Sequence, residues 1–175
     1  MVTILFFTHN QAHLLAHSLA PLVHDAIEGH ISEVIVVDAA STDSTASIAD
    51  AAGCNAVEAG TPLRDIISGV RADWLIVIEP GARLADGWNG AVMDHIMRPD
   101  ASAACFTPAK TGNWLSRVFF PITGRRGPLS RGLLISKTQA LANLADGAVN
   151  AEDLVRGLAL RPLKSEIAMP PKPKA

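Results

Sequence analysis

The stretch Glu33-Val34-Ile35-Val36-Val37-Asp38-Ala39-Ala40-Ser41-Thr42-Asp43-Ser44-Thr45 decides how this chain folds. Val34 to Val37 are β-branched throughout and stop at Asp38. Such side chains lose rotamer freedom in a helix and pack well on a pleated surface, so the run predicts a strand. No polar residue alternates with the apolar ones, so the strand is expected to be covered on both faces, as in a parallel sheet. Ala39 and Ala40 lead to Ser41 and Thr42, either of which can cap a helix opening near Asp43. A carboxylate at the carboxyl end of a buried strand, beside a helix N-terminus, stands where open α/β sheets bind ligands. The plainer reading of Asp38 is a turn residue.

Towards the N-terminus, Val2 to Phe7 reads as a first buried strand ending in Thr8-His9-Asn10. A helical pattern follows, with Leu15, Leu19, Leu22, Val23, Ala26 and Ile27 on one face. Pro21 is expected to kink or divide it. His13, His17 and His24 fall on the opposite face. His13 and His17 have the spacing of a metal clamp, but Leu14-Leu15-Ala16 between them carries no acid, so a solvated face is expected.

Towards the C-terminus, residues 43–52 predict a small-residue helix closed by Gly53, and residues 54–58 a short strand. Thr61-Pro62 is a helix start, Thr as the cap and Pro in the first turn, and that helix should reach Arg71. Trp74 to Ile78 reads as a buried strand ending at Glu79-Pro80-Gly81. Asp86-Gly87-Trp88 opens a helix expected to bury Val92, Met93, Ile96 and Met97. Ala103 to Thr107 and Leu129 to Ser136 read as strands, Lys137 to Ala145 and Ala151 to Leu160 as helices. Residues 108–128 are broken by Pro108, Pro121 and Pro128. Their apolar piece, Trp114 to Phe120, is read as core; the alternative is a lip against a membrane or a lipid-linked substrate. Strands alternating with helices predict a parallel sheet with right-handed crossovers. One domain is expected over 1–167, with a Pro- and Lys-rich tail at 168–175.

At 175 residues, 49% hydrophobic and 18% charged, the chain can bury one full core. A net charge of -2 argues against a general nucleic-acid binder. Two cysteines, Cys54 and Cys105, are too few for a disulfide framework or a zinc site. No apolar run approaches the roughly 18 residues of a membrane span, and the start lacks the basic region of a signal peptide. The expected location is the cytoplasm, with peripheral contact at the inner face of the membrane as an extension of the lip reading.

The central stretch resembles the nucleotide-binding segment of family 2 glycosyltransferases, where a strand ends in a pattern like V-V-D-x-x-S-T-D-x-T. Val36, Val37, Asp38, Ser41, Thr42, Asp43 and Thr45 match it. Ala39 replaces a second Asp common in the family, and Ala39-Ala40 stands where a bacterial subgroup reads Gly-Gly. Thr8-His9-Asn10-Gln11 stands for the family pattern P-x-x-N-E, with Asn10 kept and Gln11 replacing the acid. The resemblance implies a GT-A-like three-layer α/β sandwich, its central sheet mostly parallel and helices on both faces. It implies a nucleotide-sugar donor, UDP-linked, whose uracil or ribose is held by Asp38, with Asn10, Ser41 and Asp43 in the same donor site. The acceptor would be lipid-linked or a cell-envelope glycan.

Family enzymes hold a divalent cation, Mg²⁺ or Mn²⁺, with an Asp-x-Asp-type motif after the fourth strand. Glu79, Pro80 and Gly81 occupy those places, so Glu79 is left as a weak metal ligand. Arg83, Arg125 and Arg126 are the cationic candidates for the diphosphate. Glu152-Asp153 matches the family's acid pair at a helix start, one member of which deprotonates the acceptor hydroxyl. Acids in a first helical turn are also ordinary stabilisers. The expected function is sugar transfer with inversion. Its alternatives are a non-catalytic descendant that binds a nucleotide-sugar or a protein partner, and a nucleotidyltransferase, although Thr8-His9-Asn10 is no glycine-rich phosphate loop.

Overall fold

The computed structural model describes residues 1–109 and 128–169. Val2–Thr8 (β1), Ile31–Asp38 (β2), Asn55–Glu58 (β3) and Trp74–Ile78 (β4) are the strands that the apolar runs predict. They pair in parallel, in the order β3-β2-β1-β4. Beyond β4 the sheet continues through Leu133–Ser136 (β7), Ala104–Pro108 (β6), Arg161–Ala168 (β8) and Arg83–Leu84 (β5). β7 is antiparallel to both β4 and β6, while β6 and β8 are parallel. Strands β1, β2, β3, β4, β6 and β8 therefore all point the same way, and their carboxyl ends share one edge.

Both faces of the sheet are covered at its centre, which is why β1, β4 and β7 are buried without alternation. Ile4, Phe6, Val36, Ile76 and Ile78 face Ala12–Ile27 (α1), Thr45–Ala51 (α2) and Trp88–Ile96 (α4). Leu5, Ile35, Val37, Leu75 and Val77 face Leu63–Gly69 (α3) and Lys137–Asn143 (α5). Each such side chain contributes roughly 1.5–3 kcal/mol when fully buried, so the two clusters dominate the stability of the fold.

Several helix expectations need correction. Pro21 lies inside α1 without ending it, because Leu15, Ser18, Leu19 and Leu22 pack inward on both sides of it. Val23 and Ile27, expected on that inner face, are 55% and 78% exposed. α4 is rotated from its expected face: Trp88, Val92 and His95 are buried, while Met93 and Met97 are exposed. The cause is Trp88, whose indole is the largest apolar group in the helix and whose Nε1 donates to Asp25 at 3.0 Å.

The second half departs further. Pro128–Arg131 is a 3₁₀ turn that delays β7 to Leu133. Ala151–Leu154 is a single 3₁₀ turn where a helix to Leu160 was expected. The following β8 was not foreseen, and it reaches Ala168, the first residue assigned to the tail. Its sign was present: Leu163, Ser165 and Ile167 are buried and their neighbours exposed, an alternation of period two. Gly132 has φ +66°, and an added Cβ would stand 2.9 Å from Phe106 and 3.1 Å from Ile78 and Ile167, so the β6–β7–β8 junction closes only over glycine.

Candidate functional site on the carboxyl edge of the sheet

Register places the expected residues together. Thr8 pairs with Asp38 and Asp38 with Glu58, while Phe6 pairs with Ile78, so Asn10, Asp38 and Glu79 all emerge at the carboxyl edge. The first two are joined through Ser41. Its amide donates to Asp38 Oδ2 at 3.1 Å, its hydroxyl donates to Asp38 Oδ1, and it accepts from the Asn10 amide at 2.8 Å. Asn10 Oδ1 in turn accepts from the amides of Thr42 at 2.7 Å and Asp43 at 3.3 Å.

Asp43 ties the starts of two helices, accepting from the Ala12 amide at 3.1 Å and from the amide and hydroxyl of Thr45. The expected Ser41 or Thr42 cap is replaced by this arrangement, and Ser44 takes the N-cap position without a side-chain bond. The Thr45 hydroxyl bond, with amide bonds beside it, holds the exposed Asp43 carboxyl below its ordinary value of 3.8.

The network leaves Asp38 usable. A carboxylate offers about four acceptor positions and Ser41 takes two. The backbone around it is constrained: Asn10 has φ 51° and Ala40 φ 54°, the left-handed region that asparagine tolerates and alanine resists. Holding Ala40 there costs about 1 kcal/mol, which the surrounding hydrogen bonds must outweigh. His9 contributes as well: Nδ1 donates to Ala39 O at 2.7 Å, and Asn10 Nδ2 donates to Nε2 at 3.2 Å, which assigns the neutral Nδ1–H tautomer.

The end of β4 is built differently. Gly81 is buried at φ +90°, and its amide donates to Leu14 O at 3.0 Å and Ser18 Oγ at 2.7 Å. An aspartate there would have to adopt a backbone conformation that L residues avoid. Glu79 is exposed. No group of three His, Cys, Asp or Glu among the described residues could hold a metal ion. The chain's own side chains at this loop therefore do not fit a divalent cation.

Glu152 and Asp153 lie in the 3₁₀ turn after α5. Leu63 at the start of α3 donates its amide to Ala148 O, which brings the segment after α5 back towards the carboxyl edge. Glu152 is exposed. Asp153 is ion-paired with Arg156 at 2.9 Å and also accepts from the Asn150 amide at 3.4 Å. Its spacing from the glycine strand could not have revealed that partner.

Arg83 lies exposed in β5. Arg125, Arg126 and the apolar piece 114–120 lie outside the described residues. His13, His17 and His24 are exposed, as expected. Burial pushes the Cys54 thiol up to about 11, which favours its neutral form. No described helix is long and apolar enough to cross a membrane.

No protein-family description and no curated protein matches this sequence. Solved structures do. Glucosyl-3-phosphoglycerate synthase from Mycobacterium tuberculosis, in complex with phosphoglyceric acid, superposes with a TM-score of 0.60 at 18% identity, over 99% of this chain and 73% of that one. The same enzyme in complex with Mn²⁺, UDP and glucosyl-3-phosphoglycerate gives 0.59 at 16% identity, with the same coverage. TarS 1–349 from S. aureus, in complex with UDP, gives 0.63 at 14% identity, over 88% of this chain and 53% of that one. This chain thus spans about half of the TarS fragment. At these identities the likeness is one of architecture: the chain has the GT-A glycosyltransferase fold.

Proposed function

We propose that this protein binds a UDP-linked nucleotide-sugar at the carboxyl edge of its sheet and transfers the sugar to an acceptor hydroxyl with inversion. The observation that carries the proposal is the Asp38–Ser41–Asn10 network, a preset carboxylate with unused acceptor positions at the edge where such sheets take ligands. Asp38 accepts from the uracil or ribose, and Asn10, Ser41 and Asp43 hold the loop that aims it. Glu79 stands beside the diphosphate. Asp153, released from Arg156, is the base that takes the acceptor's proton, with Glu152 next to it. Neighbours of the same fold carry UDP or UDP-glucose, several of them with Mn²⁺.

A second reading, nucleotide-sugar binding without turnover, draws on Gly81 and on the ion pair that occupies Asp153. Calorimetric titration with UDP and a panel of UDP-sugars separates the two, followed by transfer assays on any donor bound. Asp38→Ala should weaken UDP binding by roughly 1.5–3 kcal/mol, the worth of a hydrogen bond to a charged group. Asp153→Asn should keep binding and lose transfer by about 10² or more. Unchanged UDP affinity in Asp38→Ala would refute the donor site; wild-type binding with no transfer to any acceptor or to water would favour the second reading.

A further inference from the structure

Among the described residues, two buried side-chain polar atoms have no hydrogen-bond partner: Thr8 Oγ1 and Arg131 Nε. Both belong to the carboxyl edge. Thr8 closes β1 in register with Asp38. Arg131 ends the 3₁₀ turn before β7, which is antiparallel to β4, so the start of β7 lies beside the end of β4. The last ladder pair is Val77 with Leu133, Ile78 approaches Gly132, and one step further the register reaches Glu79 and Arg131. Arg131 is half-buried, and no carboxylate among the described residues lies within ion-pair distance of it. A buried guanidinium nitrogen without an acceptor is costly, and a fold tolerates it where a ligand supplies the missing oxygen.

We propose that Arg131 is a binding residue for the diphosphate of the donor and supplies the positive charge that the Glu79-Pro80-Gly81 loop cannot recruit through a metal. The proposal rests on the nucleotide-sugar reading above. Guanidinium presents paired N–H groups that match phosphate oxygens and keeps its charge at any working pH. The buried Thr8 hydroxyl lies along the same edge and offers a further donor. The attraction between guanidinium and phosphate is screened by ions, so binding should weaken with added salt.

The test is titration of the full chain, in EDTA, with uridine, UDP and inorganic pyrophosphate, for wild type, Arg131→Met and Arg131→Lys. UDP should bind wild type at least tenfold more tightly than uridine. Arg131→Met should lose that gain while keeping uridine affinity and thermal midpoint, because the buried Nε has no hydrogen-bond partner among the described residues. Arg131→Lys should keep part of it. Unchanged UDP affinity in Arg131→Met, or uridine and UDP binding wild type equally, overturns the role of Arg131 and leaves the nucleoside site standing. Pyrophosphate binding that Arg131→Met abolishes, with no uridine binding at all, supports Arg131 and overturns the nucleotide reading instead.

Discussion

The two edges of the sheet carry similar polar side chains and use them in opposite ways. At the amino edge Glu33 accepts from the Arg71 amide at 2.7 Å, Asn55 Nδ2 at 2.8 Å and the Thr3 hydroxyl at 3.3 Å, which joins β1, β2, β3 and the approach to β4. Asp25 accepts from Trp88 Nε1, and His30 bridges Asp25 at 3.2 Å to Asn89 at 2.9 Å, which fastens α4 to α1. Lys137 Nζ donates to the carbonyls of Ser68 and Val70. Every one of these groups closes a joint. At the carboxyl edge the bonds tie the loop after β1 to the loop after β2, two left-handed non-glycine residues are held in place, and buried donors are left over. Polarity at the amino edge stabilises; at the carboxyl edge it is the basis of the proposed ligand site.

The end of β4 is where this contrast should break most strongly. Gly81 lies at the carboxyl edge but is bonded into α1 like an amino-edge residue. Gly81→Asp, which restores the lost carboxylate, should destabilise the fold by about 3 kcal/mol, through backbone strain and a charge placed in a buried position. It should add no Mn²⁺ affinity. Chemical denaturation and metal titration check both; a stable variant with gained Mn²⁺ binding would show the loop to be a dormant metal site.

Next in size is Asp25→Ala. Trp88 is 3% exposed, so its indole N–H would be left buried without an acceptor, at a cost of about 1–3 kcal/mol in denaturation midpoint converted to free energy. UDP affinity should not change. A variant that loses UDP binding at wild-type stability would erase the distinction between the edges.

These contrasts also measure how much was legible in the sequence. The unbroken apolar runs of β1, β2 and β4 announce a doubly covered sheet because burial on both faces leaves no room for polar residues. Asn10, Asp38 and Glu79 fall where strand ends predict them. What local pattern could not give is pairing between distant segments. The Asp153–Arg156 ion pair, the clamp of Gly81 onto Ser18 and the rotation of α4 by Trp88 and Asp25 all depend on three-dimensional neighbours. β8 was missed because Pro162 and a mixed polar face obscured its alternation, and Arg131 because a cation gives no sign of its partners until it is packed.

The smallest expected effect concerns Asp43. Its folded pKa lies below 3.8, so the stability it contributes is present above that value and is lost as pH falls through the lower folded value. Asp43→Asn should therefore lose less stability than wild type between pH 7 and pH 3, read from urea midpoints. Equal losses would mean that the Thr45 and Ala12 bonds do not favour the charged form.

The most direct test is a map of backbone amide chemical shifts as UDP is added to the full chain. The amides of Asn10, Ser41, Thr42 and Asp43 should move together and saturate with one affinity, while those of His30, Arg71 and Trp88 stay in place. Saturable shifts centred on His30 and Trp88, or none at Ser41 at saturating UDP, would contradict the assignment of the carboxyl edge as the nucleotide site.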